Sequence, residues 1–305
     1  MRKIIIDTDP GIDDSIAIAE ACYSNLNILG ITTVFGNSTV KNSTRNALTI
    51  LQLLDKNIPV YAGSNKSLFG KTIRAKSQGD NGLGGFRLNN LKYQKQKIEA
   101  SKFIINQLET NKNKSIDIVA IGPLTNLAIV NKKRPDLLCR VNQLIILAGV
   151  FFEKGNISQY AEFNAYNDPF ALSEVLNINC GKILIPINIC RKVVMRLDDF
   201  KKIQNKKIKD SFTKISKLYI KYYENNKKYG GFNGGVMYDL LAISFLIRPN
   251  LFKLKKANIE VMTNKKKYGQ TVIKNKKKNC LLVTDVNARG VLSLFFRLIN
   301  SKKLQ

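Results

Sequence analysis

The chain of 305 residues carries 50 Lys and Arg against 22 Asp and Glu, which gives a formal charge of +28 at neutral pH. Its hydrophobic fraction of 44% and charged fraction of 24% are typical of a folded protein and argue against disorder. No apolar run approaches the ~20 residues that span a bilayer, so we expect no membrane association and a cytoplasmic location. Histidine is absent, which excludes Ser-His and Cys-His nucleophile pairs and every histidine-ligated metal site.

The excess of lysine raises the question of a nucleic-acid partner. The lysines occur in runs, such as 265–267 and 276–278, and aromatic residues do not alternate with them as a base-stacking surface requires. We therefore expect no specific nucleic-acid partner and only nonspecific attraction to polyanions at low salt. The five cysteines are widely spaced and form no CxxC pair, which argues against a disulfide framework or a thiolate zinc site.

Strand-like apolar runs alternate with segments of helical periodicity along most of the chain. The predicted strands are 3–7, 26–34, 60–62, 116–121, 143–147 and 183–187. The predicted helices are 15–22, 44–54, 98–110, 126–131, 169–177, 198–224, 240–247 and 288–299. Such alternation indicates βαβ units, whereas the alternating tail beyond residue 257 indicates hairpin strands. We predict one α/β domain over residues 1–305, with an open, mostly parallel sheet flanked by helices and a small antiparallel hairpin near the C-terminus.

The segment 7–14 holds four carboxylates in a strongly basic protein: Asp7, Asp9, Asp13 and Asp14. Asp7 and Asp9 lie on the same side of the first strand, and the other two begin the next helix. A helix N-terminus stabilises a negative charge by only about 0.3–1 kcal/mol, which is less than the repulsion expected among four converging carboxylates. A bound cation would neutralise them, and ligands that are all oxygen favour Ca²⁺ or Mg²⁺.

Four other polar segments follow predicted strands or precede predicted helices. They are Gly36-Asn37, Gly122-Pro123-Leu124-Thr125-Asn126, Ala161-Glu162-Phe163-Asn164 and Asp239. Each alone is typical of a turn or a helix cap. Because ligands bind at the carboxyl ends of the strands in an open α/β sheet, together they indicate one site at that edge.

These motifs resemble those of the inosine-uridine-preferring nucleoside hydrolase family. The segment Asp7–Asp14 matches the family's DxDPGxDD signature, and further motifs follow in order over nearly the whole chain. They are 30–34 with Gly36-Asn37, Thr44 with Asn46-Ala47, 58–63, 82–84, 122–126, 161–164 and Asp168-Pro169.

The resemblance implies an α/β fold, a homodimer or homotetramer, and hydrolysis of the N-glycosidic bond of ribonucleosides with Ca²⁺ held at the ribose. It implies that Ca²⁺ is bound by Asp9, Asp14, the main-chain carbonyl of Thr125, and Asp239. It implies that Asp9 also takes a proton from the calcium-bound water. The substrate-binding residues that it implies are Asp13, Asn37, Asn156, Glu162, Asn164 and Asp239, with Asp7 supporting the cluster from behind.

The sequence departs from the family where the leaving base is expected. Tyr238 stands where the family usually has the His of a His-Asp-Pro segment, and Gln78 replaces a second common His. Tyr238 is a candidate acid for the leaving base, although its ordinary pKa of about 10 makes it a weak one. Alternatively, Tyr238 only packs beside the site, and the base leaves without a strong acid or is hydrogen-bonded by Arg191, Tyr222 or Tyr229. The preferred base stays open, and the absence of Trp excludes an indole sandwich around a purine.

Two competing interpretations use the same acidic segment. In a haloacid-dehalogenase-like phosphatase, Asp7 would be the nucleophile and Asp9 the acid, with Mg²⁺ bound. That interpretation leaves the segments 122–126 and 162–164 unexplained. The second interpretation is a non-catalytic nucleoside-binding protein. Asp9 argues against it, because binding alone does not require a base that activates water.

Overall fold

The computed structural model describes residues 1–70, 72–226 and 231–301. Within these ranges, eleven strands alternate with ten α-helices. The strands are β1 (Arg2–Thr8), β2 (Leu26–Thr33), β3 (Val60–Ala62), β4 (Ile116–Ala120), β5 (Leu144–Leu147), β6 (Lys182–Ile185), β7 (Val194–Met195), β8 (Gly235–Val236), β9 (Phe252–Val261), β10 (Thr271–Lys274) and β11 (Cys280–Val286). The helices are α1 (Ile12–Cys22), α2 (Val40–Leu53), α3 (Ala100–Thr110), α4 (Thr125–Lys133), α5 (Phe163–Asn167), α6 (Pro169–Asn177), α7 (Ile187–Cys190), α8 (Lys206–Asn225), α9 (Leu240–Ile247) and α10 (Ala288–Ile299).

Nine of the strands form one sheet in the order β10-β9-β11-β6-β5-β4-β1-β2-β3. All pairs from β11 to β3 are parallel, while β9 runs antiparallel to both β11 and β10. The strands β7 and β8 form a separate antiparallel pair. The predicted fold class, a mostly parallel sheet with an antiparallel hairpin near the C-terminus, is confirmed.

The sheet separates the apolar core into two layers. Side chains of the central strand β1 reach both layers, because they alternate between the two faces of the sheet. Ile4 and Ile6 pack with residues of α1, α2, α8, α9 and α10, whereas Ile5 packs with residues of α3, α4 and α6. The same alternation continues to the end of the strand, where Thr8 contacts α1 and Asp7 contacts α4. One strand therefore delivers polar groups to both helical layers at the carboxyl edge.

Several predicted elements differ in extent from the structure: helices 15–22 and 44–54, for example, begin at Ile12 and Val40. Two further differences have a local cause in the sequence. The predicted helix 198–224 is a 3-10 segment, Leu197–Lys202, followed by α8, and the side chain of Asn205 caps α8 by accepting the N–H of Ile208 at 3.1 Å. Asn favours an N-cap over a helix interior, so the chain restarts there. The predicted strand 183–187 ends at Ile185, because Pro186 cannot donate to a ladder and instead precedes α7. Among the described residues, no helix is both long and apolar enough to cross a bilayer.

A buried carboxyl group joins α1 to α9. Glu20 is fully buried, and both of its carboxyl oxygens lie 2.9 Å from the hydroxyl of Ser244. Burial raises the pKa of Glu20 well above its ordinary value of 4.5, and the hydrogen bond from Ser244 offsets only part of the rise. The folded protein therefore holds this proton more tightly than the unfolded chain does.

We expect Glu20→Gln to gain stability relative to the wild type as the pH rises. Protonated Glu20 makes its full contribution to the free energy of unfolding below pH 4.5. That contribution is lost as the pH rises through the pKa of Glu20 in the folded protein. The neutral amide has no such loss, so the difference in unfolding free energy should grow by about 1.4 kcal/mol per pH unit in that window. Urea unfolding at pH 5 and pH 8 measures it. The exposed Glu99→Gln is the control, and a pH-independent difference for Glu20→Gln would contradict the expectation.

Candidate active site

Four buried aspartates meet at the carboxyl edge of the sheet. Asp9 lies in the loop after β1, Asp13 and Asp14 lie in the first turn of α1, and Asp239 immediately precedes α9. Their exposed fractions are 1%, 4%, 0% and 4%. Asp13, Asp14 and Asp239 each place one carboxylate oxygen within 4.8 Å of the other two. The structure thus brings together three of the predicted acids in one group and places Asp9 close enough to raise the pKa of Asp239.

Local sequence fixes the orientation of Asp14. Gly11 is the N-cap of α1 and has no side chain to cap the helix. The carboxylate of Asp14, three residues later, accepts the N–H of Gly11 at 2.9 Å, and its other oxygen accepts the hydroxyl of Thr8. Asp14 is therefore held from the strand and from the helix at the same time.

Asp9 is enclosed by main chain from two neighbouring strands. The N–H of Asn37 donates to Asp9 Oδ2 at 2.7 Å, and the Asn37 side chain donates to Asp14 Oδ2 at 3.0 Å. A Cβ atom on Gly36 would lie 2.0 Å from Asp9 Oδ2, and one on Gly122 would lie 2.9 Å from Oδ1. Glycine at these two positions allows the backbone to approach the carboxylate so closely.

Asp7 lies behind this cluster, on the α4 side of the sheet. Its Oδ1 accepts the hydroxyl of Thr32 at 2.6 Å and the amide of Asn126 at 2.8 Å. Asn126 also donates to the carbonyl of Thr33 and accepts the N–H of Ser64. This network ties β1, β2 and α4 together at the edge that carries the acids.

A cavity of about 440 Å³ opens beside the cluster. Eight of the predicted site residues line it. They are Asp9, Asp13, Asn37, Asn156, Glu162, Asn164, Tyr238 and Asp239. Residues predicted from motifs more than 200 positions apart therefore share one small-molecule pocket of a size typical for ligand sites.

Thr125 is the first residue of α4, and its side chain does not serve the cavity. Its hydroxyl donates to Asp168 Oδ2 at 2.7 Å. Asp168 also accepts the N–H groups of Leu68 and Ala171. Any part that Thr125 takes in metal binding must come from its main chain, which is the form in which it was predicted.

The opposite wall is held by main-chain hydrogen bonds. Glu162 caps α5 by accepting the N–H groups of Asn164 at 2.7 Å and Ala165 at 2.9 Å, and it also accepts that of Gly149 at 3.0 Å. The amide of Asn164 donates to the carbonyls of Ile121 and Leu147, at the ends of β4 and β5. Both side chains are therefore rigid. Helix α5 was not predicted, although its capping Glu162 was.

Asn156 differs from its neighbours in having an unused acceptor. Its Oδ1 is buried and has no hydrogen-bond partner among the described residues. A buried acceptor without a partner costs about 1–3 kcal/mol. Since Asn156 also lines the cavity, a ligand hydroxyl is the donor that would satisfy it.

Burial and mutual repulsion raise the pKa values of the acidic side chains in the site. Burial, and then the neighbouring Asp13, Asp14 and Asp9, raise the pKa of Asp239 well above 3.8, and burial with Asp14 raises the pKa of Asp13 to about 7. Burial alone raises the pKa of Glu162 to about 7. A divalent cation would reverse the effect of the neighbouring charges. The donors are all oxygen, so the residues present fit a hard cation such as Ca²⁺.

Tyrosine side chains supply the aromatic lining. Tyr219, Tyr222 and Tyr223 of α8 line the cavity together with Tyr238. The ring centroids of Tyr238 and Tyr223 lie 6.1 Å apart, and burial raises the pKa of Tyr238 well above 10. Tyr238 is therefore a neutral hydroxyl at physiological pH.

The other residues predicted to contact the leaving base differ in whether they line the cavity. The guanidinium of Arg191 is held by Glu153 at 2.6 Å and by the carbonyl of Lys154 at 2.8 Å, and Arg191 does not belong to the described cavity lining. Tyr222 does line the cavity. Tyr229 lies outside the described residues.

Several lining residues were not predicted as site residues. Tyr219 and Tyr223 were missed, although their spacing with Tyr222 at i, i+3 and i+4 places all three on one helix face. Gln78 was noted only as a replacement for His, yet it is buried and bonded to Asp13. The segment Ile73–Ser77 lies in an aperiodic stretch that carries no sequence signal for a pocket wall.

A carboxylate-lined pocket at the carboxyl edge of an open α/β sheet defines a protein that acts on a small polar ligand. The chain matches the inosine-uridine preferring nucleoside hydrolase family over residues 4–293, and it belongs to that family. It is therefore a nucleoside hydrolase, and its substrate is a small-molecule nucleoside. The predicted family and enzyme class are confirmed, and the phosphatase alternative is wrong.

Similar proteins carry more specific names. Uridine nucleosidase 1 of Arabidopsis thaliana is 36% identical over 277 residues, which cover 89% of this chain and 82% of that protein. The pyrimidine-specific ribonucleoside hydrolase RihB of Escherichia coli O157:H7 is 32% identical over 276 residues, covering 89% and 87%. The solved structure of a purine-preferring ribonucleoside hydrolase from Gardnerella vaginalis superposes with a TM-score of 0.91 at 25% identity, covering 98% of each chain.

Proposed function

We propose that this protein hydrolyses the N-glycosidic bond of pyrimidine ribonucleosides, with uridine as the leading substrate. The observation that carries the proposal is the single cavity that unites the buried aspartates with Asn156, Glu162 and Asn164. The pyrimidine preference rests on the names of the relatives that are 36% and 32% identical, which outweigh the purine-preferring structure at 25%.

Ca²⁺ is the cofactor in this proposal. Asp9, Asp14, Asp239 and the carbonyl of Thr125 would hold it, and Asp13, which groups with Asp14 and Asp239, lies at the same centre. When bound, Ca²⁺ would lower the pKa of a coordinated water and orient the ribose 2′- and 3′-hydroxyls. Asp13, Asn37, Asn156, Glu162, Asn164 and Asp239 would hold the ribose.

Asp9 is the general base of the proposed reaction. Its carboxylate accepts a proton from water while the water oxygen bonds to C1′ of the ribose. The C1′–N bond breaks, and its electron pair leaves with the base. Positive charge develops on the ribose as in glycoside hydrolysis, and the surrounding carboxylates stabilise it in a pocket that excludes water.

Tyr238 is the proposed donor toward the leaving base. Its raised pKa makes complete proton transfer unfavourable, so it would act by donating a hydrogen bond from a neutral hydroxyl. The base then leaves with most of its negative charge, which favours bases that are stable as anions. Tyr222 lines the same cavity and is the alternative donor.

A substrate panel tests the proposal. We expect release of reducing sugar from uridine with the highest kcat/KM among uridine, cytidine, inosine, adenosine and guanosine, with Ca²⁺ present. A site that binds the 2′-hydroxyl should reject 2′-deoxyuridine by about 10²-fold or more. Turnover of p-nitrophenyl riboside alone would contradict the role given to Tyr238. No turnover of any compound, with ribose still bound, would favour the nucleoside-binding alternative.

The proposal extends to organisation. We propose one domain over residues 1–305, because the nine-stranded sheet draws on strands from Arg2 to Val286. We also propose that the protein is a homodimer or homotetramer, that it has no specific nucleic-acid partner, and that it is cytoplasmic. All five cysteines are free thiols.

A further inference from the structure

The side chain of Gln78 makes two hydrogen bonds to the start of α1. Its Oε1 accepts the N–H of Ile12 at 2.7 Å, and its Nε2 donates to Asp13 Oδ1 at 2.9 Å. A backbone N–H can only donate and a carboxylate can only accept, so the amide has a single orientation that satisfies both partners. Gln78 is 4% exposed and lines the cavity at the end of the 3-10 turn Lys76–Gln78.

The first of these bonds gives the N-terminus of α1 a hydrogen-bond acceptor from a distant segment. The first N–H groups of any helix lack partners within the helix. The N–H of Ile12, the first residue of α1, is one of these groups and needs an acceptor from elsewhere in the chain. Gln78 supplies that acceptor from a position 66 residues further along the chain. The amide oxygen is thereby locked, and the amide nitrogen is directed at Asp13.

The second bond orients the Asp13 carboxylate at the edge of the cavity. Asp13 is crowded by Asp239 and by Asp14, and the charge of Asp14 repels it. Asp14 is held by Thr8 and Gly11, whereas Gln78 is the side-chain amide that holds Asp13. The wall segment Ile73–Ser77, which also lines the cavity, continues directly into Gln78.

We infer that Gln78 is a positioning residue that holds the Asp13 carboxylate toward the ribose and couples the cavity wall to the acidic cluster. The inference rests on the proposed function, because it requires Asp13 to bind ribose. Gln78 itself takes no part in bond breaking. The coupling works in both directions: displacement of the wall would release Asp13, and ligand held by Asp13 would hold the wall in place.

Two substitutions separate the cap from the positioning. Gln78→Glu keeps an oxygen for the N–H of Ile12 but replaces the donor to Asp13 with a second carboxylate. Gln78→Met has a similar size and supplies neither group. We expect Gln78→Glu to keep the Ile12 amide protected from hydrogen exchange while its affinity for D-ribose and its kcat/KM fall by about tenfold or more, the loss expected for a hydrogen bond to a charged group. Gln78→Met should lose both affinity and thermal stability.

D-ribose affinity is measured by calorimetry with Ca²⁺ present, and hydrogen exchange of the Ile12 amide reports the cap without any turnover. Gln94→Met, at an exposed position of the same irregular stretch, is the control and should match the wild type. Wild-type ribose affinity in both Gln78 variants would overturn the inference while leaving the hydrolase intact. Loss of affinity only in step with loss of the fold would also overturn it. A wild type that binds neither ribose nor nucleoside would instead overturn the proposed function.

Discussion

Asp9→Asn is expected to abolish turnover while preserving the site. A general base contributes about 10²–10⁴ to the rate, so kcat on uridine should fall by roughly 10³-fold. The amide oxygen of the variant can still accept the N–H of Asn37, which the wild-type carboxylate accepts at 2.7 Å. The carboxylate is buried and its pKa is raised by burial and by Asp14, so removing its charge should not destabilise the metal-free fold.

The measurement pairs single-turnover kinetics with D-ribose affinity. We expect kcat to collapse while D-ribose affinity stays within a few-fold of the wild type, because proton abstraction takes place only in the transition state. The affinity is measured at saturating Ca²⁺, since the substitution also removes the charge of one proposed metal ligand. The exposed Asp136→Asn serves as the matched control. A wild-type kcat in Asp9→Asn would contradict the role of Asp9 as the general base.

The motifs predict the acid cluster because its members are either adjacent in sequence or follow successive strands. Asp9, Asp13 and Asp14 fall within six positions, and Asn37 follows the neighbouring strand β2. Parallel strands place their carboxyl ends at one edge, so the order of elements alone brings these groups together. The family resemblance then adds Asn156, whose segment has no periodic signal of its own.

The parts of the site that escaped prediction depend on tertiary contacts between distant segments. Gln78 lies in an aperiodic stretch, and nothing local indicates that it caps α1. Tyr223 appears in sequence as one residue of a lysine-rich helix. It becomes part of the site because α8 packs against the wall formed by the turn Lys76–Gln78 and because the ring of Tyr238 lies beside that of Tyr223. The cap at Asn205 divides the predicted helix 198–224 into two elements. Asn205 is a local signal for a helix start, but a prediction based on periodicity alone does not use it.

Calcium is expected to stabilise the fold strongly and in a pH-dependent way. A ligand that binds only the folded state adds about 2.7 kcal/mol to the free energy of unfolding at 100 times its Kd. For a chain of 305 residues, that corresponds to a rise of roughly 4 °C in Tm. The reason lies in the cluster itself, where Asp13, Asp14 and Asp239 bring three carboxylates within 4.8 Å in a buried setting.

The pH dependence follows from the protons that the cluster holds without metal. Burial and Asp14 raise the pKa of Asp13 to about 7, and burial with the neighbouring aspartates raises the pKa of Asp239 well above its ordinary value. Metal ligands must be deprotonated, so Ca²⁺ must displace these protons and its affinity should fall as the pH drops below 7. The rise in Tm on adding Ca²⁺ should therefore be larger at pH 8 than at pH 6, by differential scanning fluorimetry against EDTA.

Asp239→Asn separates metal binding from general stability. The substitution removes one carboxylate from the group of three and relieves repulsion on Asp13 and Asp14. In EDTA the variant should melt at or above the wild-type temperature, because a buried and repelled charge is gone. In Ca²⁺ it should lose most of the wild-type stabilisation, since the site then has one fewer anionic ligand. Equal Tm values for the wild type in Ca²⁺ and EDTA at both pH values would mean that these carboxylates keep their protons and hold no metal.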